Sequence, residues 1–103
     1  RLKKTVTNLT QEQFIEGYRK AQLIDVREPK EFDGGHILGA RNIPSSQLRQ
    51  RHKEIRPDKP VYLYCQNGAR SGRAAMFLKK KGHTQLNQLQ GGFKGWTGKI
   101  KSK

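Results

Sequence analysis

Val61-Tyr-Leu-Tyr-Cys65-Gln-Asn-Gly68-Ala-Arg70-Ser-Gly-Arg73-Ala-Ala-Met-Phe-Leu-Lys-Lys-Lys-Gly82 reads in three parts. β-Branched and aromatic residues from Val61 to Tyr64 predict a short buried strand. Cys65 and a tight loop follow, and then a helix that begins near Ser71 and stops at Gly82. Ala74, Ala75, Phe77 and Leu78 recur at helical spacing, and Lys79 to Lys81 place cations where a helix C-terminus favours them. Alternation along the strand sends Tyr62 and Tyr64 to one face and Leu63 and Cys65 to the other. The chain's one cysteine thus sits at the C-terminal end of a strand, facing a helix N-terminus. In α/β proteins that is where ligands bind and where backbone N–H groups gather an anion.

A thiol with an ordinary pKa near ~8.5 is mostly protonated at neutral pH, and the thiolate is the nucleophile. Three features favour the thiolate at Cys65: the helix N-terminus, the loop N–H groups and Arg70. Gly68 allows a left-handed turn that points successive N–H groups inward as a nest for an anion. The plainer reading is a small buried hydrophobe at a strand end. The string Cys-x-x-Gly-x-Arg-Ser behind Cys65 favours the functional one.

The rest of the chain alternates in the same way. Thr5 to Leu9 is an edge-strand candidate. Thr10 and Gln13 form a capping box ahead of an apolar face of Phe14, Ile15 and Tyr18, in a helix that fades near Ala21. Leu23 to Val26 is apolar enough for a central strand. Pro29 starts a helical turn through Phe32, halted by Gly34 and Gly35. His36 to Pro44 is a loop leading into a short strand, and Ser45 or Ser46 caps a polar helix anchored by Leu48. Arg56 to Pro60 is a surface turn. Leu86 to Leu89 is the last strand, followed by Gly91-Gly92-Phe93-Lys94-Gly95-Trp96. Alternating strands and helices predict an α/β fold with a mostly parallel sheet covered on both faces.

At 103 residues the chain forms one domain, with residues 1–4 and 99–103 expected as loose basic ends. An apolar share of 32% is low, but the apolar residues cluster in runs that disorder would scatter. A net charge of +14, from 22 Lys and Arg against 8 Asp and Glu, raises three partner classes: nucleic acid, a membrane surface and a small anionic substrate. The basic residues spread along the whole chain, without zinc-ligand spacing or an RNA-binding aromatic signature. A solvated surface with general anion affinity is expected, and no specific nucleic-acid partner. One cysteine makes no internal disulfide, so nothing asks for an oxidising compartment and a cytoplasmic setting is expected. No apolar run approaches the ~20 residues of a membrane span, and no signal peptide is visible. A chain that starts at Arg1 leaves an upstream anchor open.

With these motifs in place, the sequence resembles the rhodanese sulfurtransferases over almost its whole length. Leu-Ile-Asp-Val-Arg-Glu-x3-Phe (23–32) with Gly-His-Ile-x-Gly-Ala-x-Asn-Ile-Pro (35–44) looks like the family's first signature. Val-Tyr-Leu-Tyr-Cys-x-x-Gly-x-Arg-Ser (61–71) looks like its active-site loop, and Leu-x-Gly-Gly-x3-Trp (89–96) like its closing motif. Leu38 stands where a proline is common, and Arg41 where small or apolar residues are. The resemblance implies a three-layer α/β/α fold with about five strands and a catalytic Cys65 that carries a persulfide. The thiolate takes the outer sulfur of a donor such as thiosulfate and passes it to cyanide, a thiol or a sulfur-relay protein, by covalent catalysis in two half-reactions. The N–H groups of Gln66, Asn67, Gly68, Ala69, Arg70 and Ser71 would cradle the terminal sulfur, without metal or organic cofactor.

Around that loop the alternatives stand open. Arg70 either binds the donor or braces the loop through a carboxylate. Arg73 either adds positive potential or faces solvent. Asp25 and Arg27 flank Val26 and so share a face, with Asp25 a scaffold acid that accepts loop hydrogen bonds or pairs with an arginine. A general acid–base role is the minor reading. His36 invites a Cys–His pairing, but the resemblance makes it a loop stabiliser. His52 and His83 lie in polar, turn-like surroundings, and three isolated histidines make no metal site. Gly91, Gly92 and Trp96 are expected to shape a turn and form a wall beside the cysteine pocket. Two further functions compete. One is a catalytically quiet rhodanese-like binding or persulfide-carrier module. The other is a small cysteine phosphatase, disfavoured because four residues, not five, separate Cys65 from Arg70.

Overall fold

Five strands form one sheet in the order β1-β6-β5-β2-β4, every neighbouring pair parallel. They are β1 (Thr7–Leu9), β2 (Gln22–Asp25), β4 (Arg41–Asn42), β5 (Val61–Tyr64) and β6 (Leu86–Leu89). The computed structural model describes residues 6–102. The expected loose segment at 1–4, and Thr5 of the first strand, lie outside the described residues.

β5 is the central strand, and its burial on both sides follows from Val61-Tyr-Leu-Tyr. Val61, Leu63 and Cys65 pack on one face with Ile24, Val26, Ile43, Leu48, Ile55 and the inner face of α4 (Ala69–Lys80). Tyr62 and Tyr64 pack on the other with Phe14, Tyr18, Leu23, Ile37 and Leu89. Helix α1 (Gln11–Gly17) covers that second face. It starts at the expected capping box: Thr10 Oγ1 accepts from the Gln13 amide at 3.2 Å while the Thr10 amide donates to Gln13 Oε1 at 3.0 Å. Ile15, expected on the apolar face, is instead 47% exposed. From β2 the chain moves to β4 on one side, and from β5 it moves to β6 on the other. Between the C-terminal ends of β2 and β5 the order reverses, which opens the crevice where such sheets place their ligands.

α2 (Pro29–Gly34) opens with its proline and ends at the glycines, as the sequence predicts. The short segment α3 (Leu48–Arg51) continues a 3-10 turn at Ser45–Gln47, whose serines make no capping hydrogen bond. One element was not expected. β7 (Ile100–Lys101) pairs antiparallel with β3 (His36–Ile37), matching Ile37 to Ile100 and His36 to Lys101. The tail after Gly98 is therefore tied down rather than loose through Lys101. The Lys99 carbonyl also accepts from the Leu38 amide at 3.1 Å and from Trp96 Nε1 at 3.2 Å. Among the described residues no helix is long and apolar enough to cross a membrane.

Candidate active site

Cys65 follows β5 directly, and the chain behind it is held from two sides. The Phe93 amide donates to the Cys65 carbonyl at 2.8 Å, and the Lys94 amide to the Gln66 carbonyl at 3.0 Å. Gly92 makes that approach possible. Its φ is +67°, and a Cβ there would lie 2.6 Å from the carbonyl oxygens of both Cys65 and Gln66. Gly68 turns the loop with φ +101°, as the sequence predicts, and stands at the N-cap of α4. The helix starts at Ala69, ahead of the expected Ser71, because Asn67 Oδ1 accepts the Ala69 amide at 3.1 Å.

The Cys65 side chain is closed off from solvent. Inward-facing donors meet its sulfur there: the Gly68 amide at 3.0 Å and the Ser71 amide at 3.2 Å, with Ser71 Oγ at 3.5 Å. Burial pushes the thiol pKa up. The Ser71 hydroxyl and the amides of Ser71, Asn67 and Gly68 outweigh it and hold the thiol below its ordinary value. The cradle is narrower than the sequence suggested, since the Ala69 amide is turned to Asn67.

Ser71 has one proton and three acceptors around it: the Gly68 carbonyl at 3.1 Å, Gln88 Oε1 at 2.6 Å and the sulfur. When Cys65 is a thiol, its S–H donates to Ser71 Oγ and the serine proton goes to Gln88. When it is a thiolate, the hydroxyl turns to the sulfur. Gln88 in turn donates through Nε2 to Asn8 Oδ1 at 2.5 Å, which anchors the chain of bonds on β1.

Arg70 is bonded to a carboxylate rather than to the sulfur. Its guanidinium makes two hydrogen bonds to Glu31, Nη1 to Oε1 at 2.9 Å and Nη2 to Oε2 at 3.0 Å, and so straps the first turn of α4 to α2. Of the two readings left open, the geometry is that of the brace. Arg73 is exposed and has no hydrogen-bond or ion-pair partner among the described residues.

Asp25 and Arg27 form a buried pair on the Tyr64 side of the sheet. Arg27 reaches Asp25 through Nη2 at 2.8 Å and through Nε at 3.1 Å to both carboxylate oxygens. The guanidinium continues to the Gly35 carbonyl at 2.6 Å and to Gln66 Oε1 at 3.2 Å, and lies 4.3 Å from the Phe93 ring centre. Burial opposes its charge, but Asp25 outweighs burial and keeps it protonated. The Tyr64 hydroxyl accepts from the Ile37 amide at 3.0 Å. Burial, together with the Asp25 carboxylate beside it, pushes the Tyr64 pKa well up. Asp25, enclosed by donors, has the geometry of a scaffold rather than of a general acid or base.

His36 bonds the Phe32 carbonyl through Nδ1 at 2.8 Å and stacks on the Phe32 ring with centroids 3.6 Å apart, so its partner is α2 and not Cys65. Trp96 does not wall the cysteine pocket. A 3-10 turn at Phe93–Gly95 swings its ring onto the opposite face of the sheet, 6.1 Å from both Phe14 and Tyr18. Gly92 and the Phe93 amide back the Cys65 carbonyl instead, while the Phe93 ring lies on the Tyr64 face beside Arg27. His83 is buried, not turn-like: Nδ1 lies 3.0 Å from the Leu78 carbonyl and Nε2 2.9 Å from that of Ile55. Sequence reasoning did not single out Glu31, Gln88 or Phe93. For Glu31 there was one usable signal, an acid in a strongly basic chain just past the strand that neighbours β5.

Comparison with known proteins finds relatives of this chain. Residues 10–99 match the family described as Rhodanese-like domain. The chain is 73% identical over 95 residues to the uncharacterized protein YqhL of Bacillus subtilis, covering 92% of this chain and 75% of that one. It is 32% identical to the putative sulfur carrier protein YrkF of the same organism, over 84% of this chain and 47% of the relative. It is 37% identical to the probable adenylyltransferase/sulfurtransferase MoeZ of Mycobacterium tuberculosis, over 89% of this chain and 24% of the relative. Among solved structures, a rhodanese-related protein from Thermoplasma volcanium superposes with a TM-score of 0.86 at 29% identity, covering 94% of this chain and 99% of that one.

Proposed function

Since the chain belongs to the rhodanese-like family, we propose that it is a sulfurtransferase that carries a sulfane sulfur on Cys65. The observation that carries this reading is a lone thiol with the amides of Gly68 and Ser71 turned onto its sulfur at 3.0 and 3.2 Å. The Cys65 thiolate attacks the outer sulfur of thiosulfate; a new S–S bond forms at Sγ, the old one breaks, and sulfite leaves with the electron pair. Cyanide, a thiol or a sulfur-relay protein then attacks the terminal sulfur, and Cys65 departs as the thiolate. No external oxidant or reductant enters. Asn67, Gly68 and Ser71 supply the donors to the anion, and Arg70 and Arg27 position the loop. The sulfur is closed over, so the donor reaches it past the Gln66 and Arg70 side chains, which are held by Arg27 and Glu31. Four residues between Cys65 and Arg70 suit one sulfur atom better than a phosphoryl group.

The same burial favours one second reading, a persulfide carrier that exchanges sulfur only with a docked partner, as the name of the sulfur-carrier relative suggests for that protein. Anaerobic incubation with thiosulfate, followed by intact mass, tests both. A gain of one sulfur atom that Cys65→Ser abolishes supports the persulfide, and subsequent loss to cyanide separates turnover from carriage. No gain from thiosulfate or from other sulfane donors overturns both. An aryl phosphate assayed in parallel should stay unhydrolysed.

A further inference from the structure

A cleft of about 240 Å³ runs beside the loop, between α4 and the segment Ser45–Arg51, lined by Ser45, Leu48, Arg49, Arg70, Arg73, Ala74 and Phe77. Its floor is apolar, from Leu48, Ala74 and Phe77. Three arginines line the cleft and no acidic residue does. Arg70 is paired with Glu31. Arg49 and Arg73, both exposed, have neither an ion-pair nor a hydrogen-bond partner among the described residues. Positions 70, 73, 74 and 77 share one face of α4. Beyond Phe77 the same stripe reaches Lys81, whose Nζ lies 5.5 Å from the Phe77 ring centre. Arg73 and Lys81 thus stand about 12 Å apart along the helix, with the aromatic ring between them.

We infer that this cleft seats an acidic segment of a partner protein, with an apolar side chain on Phe77 and Ala74 and carboxylates on Arg49, Arg73 and Lys81. Small-molecule sites enclose about 300–1,000 Å³, so this open cleft fits a side chain or two of an extended chain better than a whole ligand. Guanidinium groups left without carboxylates are those free to take a partner's, in bidentate geometry. The cleft begins at Arg70, within the cysteine loop, so a segment lying in it brings its neighbouring residues to Cys65. Resting on the sulfur-transfer reading, the segment belongs to the sulfur acceptor. Its thiolate attacks the terminal sulfur of the Cys65 persulfide, the S–S bond to Sγ breaks, and Cys65 leaves as the thiolate.

The test uses the full chain and a short synthetic peptide of glutamate and leucine ending in cysteine, with a glutamine-for-glutamate counterpart. In the first arm, amide shifts of the labelled protein are followed on titration with the peptide alkylated at its cysteine. Shifts centred on Arg49, Arg73, Ala74 and Phe77, with binding weakened about tenfold in R49Q/R73Q and severalfold in Phe77→Ala, support the cleft. Shifts spread over the basic ends, or binding indifferent to Phe77→Ala, overturn it in favour of unspecific charge. In the second arm, sulfur passes from preloaded Cys65 to the peptide, to glutathione and to 2-mercaptoethanol. R49Q/R73Q should slow transfer to the peptide about tenfold and leave 2-mercaptoethanol unchanged. An equal loss with glutathione would overturn the protein segment in favour of a small anionic thiol. Failure to load Cys65 at all would sink the sulfur-transfer reading while the first arm still reports on the cleft.

Discussion

At the scale of single residues, the reactivity of Cys65 is a contest between burial and donors, and the donors decide it. Ser71 contributes twice, through its amide and through a hydroxyl that can turn from Gln88 to the sulfur. Ser71→Ala keeps the amide and loses the hydroxyl, so the thiol pKa should rise. Persulfide formation from thiosulfate near neutral pH should then slow about tenfold, the equivalent of one charge-assisted hydrogen bond. Stopped-flow rates against pH are the check: the acid limb of the native profile lies below the ordinary thiol range, and in Ser71→Ala it moves upward. An unmoved limb would show that the hydroxyl stays on Gln88. Asp25 makes a different kind of prediction, because nothing about it touches sulfur. Asp25→Ala leaves the Arg27 guanidinium buried without its counter-ion, which costs about 3–5 kcal/mol. Urea unfolding should show that loss, and Asp25→Asn, which keeps the shape and removes the charge, should recover only a small part.

At the scale of elements, α2 and the first turn of α4 are joined by the Glu31–Arg70 bridge. The Arg70 hydrogen bonds, chiefly, hold the Glu31 pKa below its ordinary value. A carboxylate depressed in the folded state stabilises the fold above its unfolded pKa of about 4.3 and loses that contribution as pH falls through the folded value. Glu31→Gln should therefore flatten the acid limb of stability against pH, read from thermal unfolding between neutral pH and pH 3, and speed alkylation of Cys65 by loosening the loop. Faster unfolding with unchanged alkylation would mean that the strap holds α2 and not the loop. The strap also marks the border of what the chain declares locally. The capping box of Thr10 and Gln13, the strand from Val61, and the turn at Gly68 each depend on neighbours within a few positions, and all were legible. Arg70 finds its acid 39 positions away. β3 finds β7 across more than sixty residues, and each is two residues long, too short to show a period. Trp96 follows a glycine-rich turn whose exit direction depends on φ at Gly92, so its face of the sheet could not be read from spacing.

For the molecule as a whole, charge is the organising fact. Of the eight acidic residues, Asp25, Glu31, Glu54 and Asp58 are each tied to arginine. The remaining cations therefore face water with few opposing charges, and the net +14 acts outward. A dianionic donor approaching such a surface is drawn in over the Debye length, about 30 Å at 0.01 M salt and about 8 Å at 0.15 M. Raising sodium chloride between those limits should slow persulfide formation from thiosulfate severalfold. Alkylation of Cys65 by neutral iodoacetamide supplies the control, since it shares the loop and the thiolate but not the attraction. If both rates fall together, salt is acting on the loop or on the thiol. If neither falls, the surface charge does not steer the donor, and its use must be sought in the arginine-lined cleft. A drop confined to thiosulfate would show that the whole surface, rather than any one cation at the site, gathers the substrate.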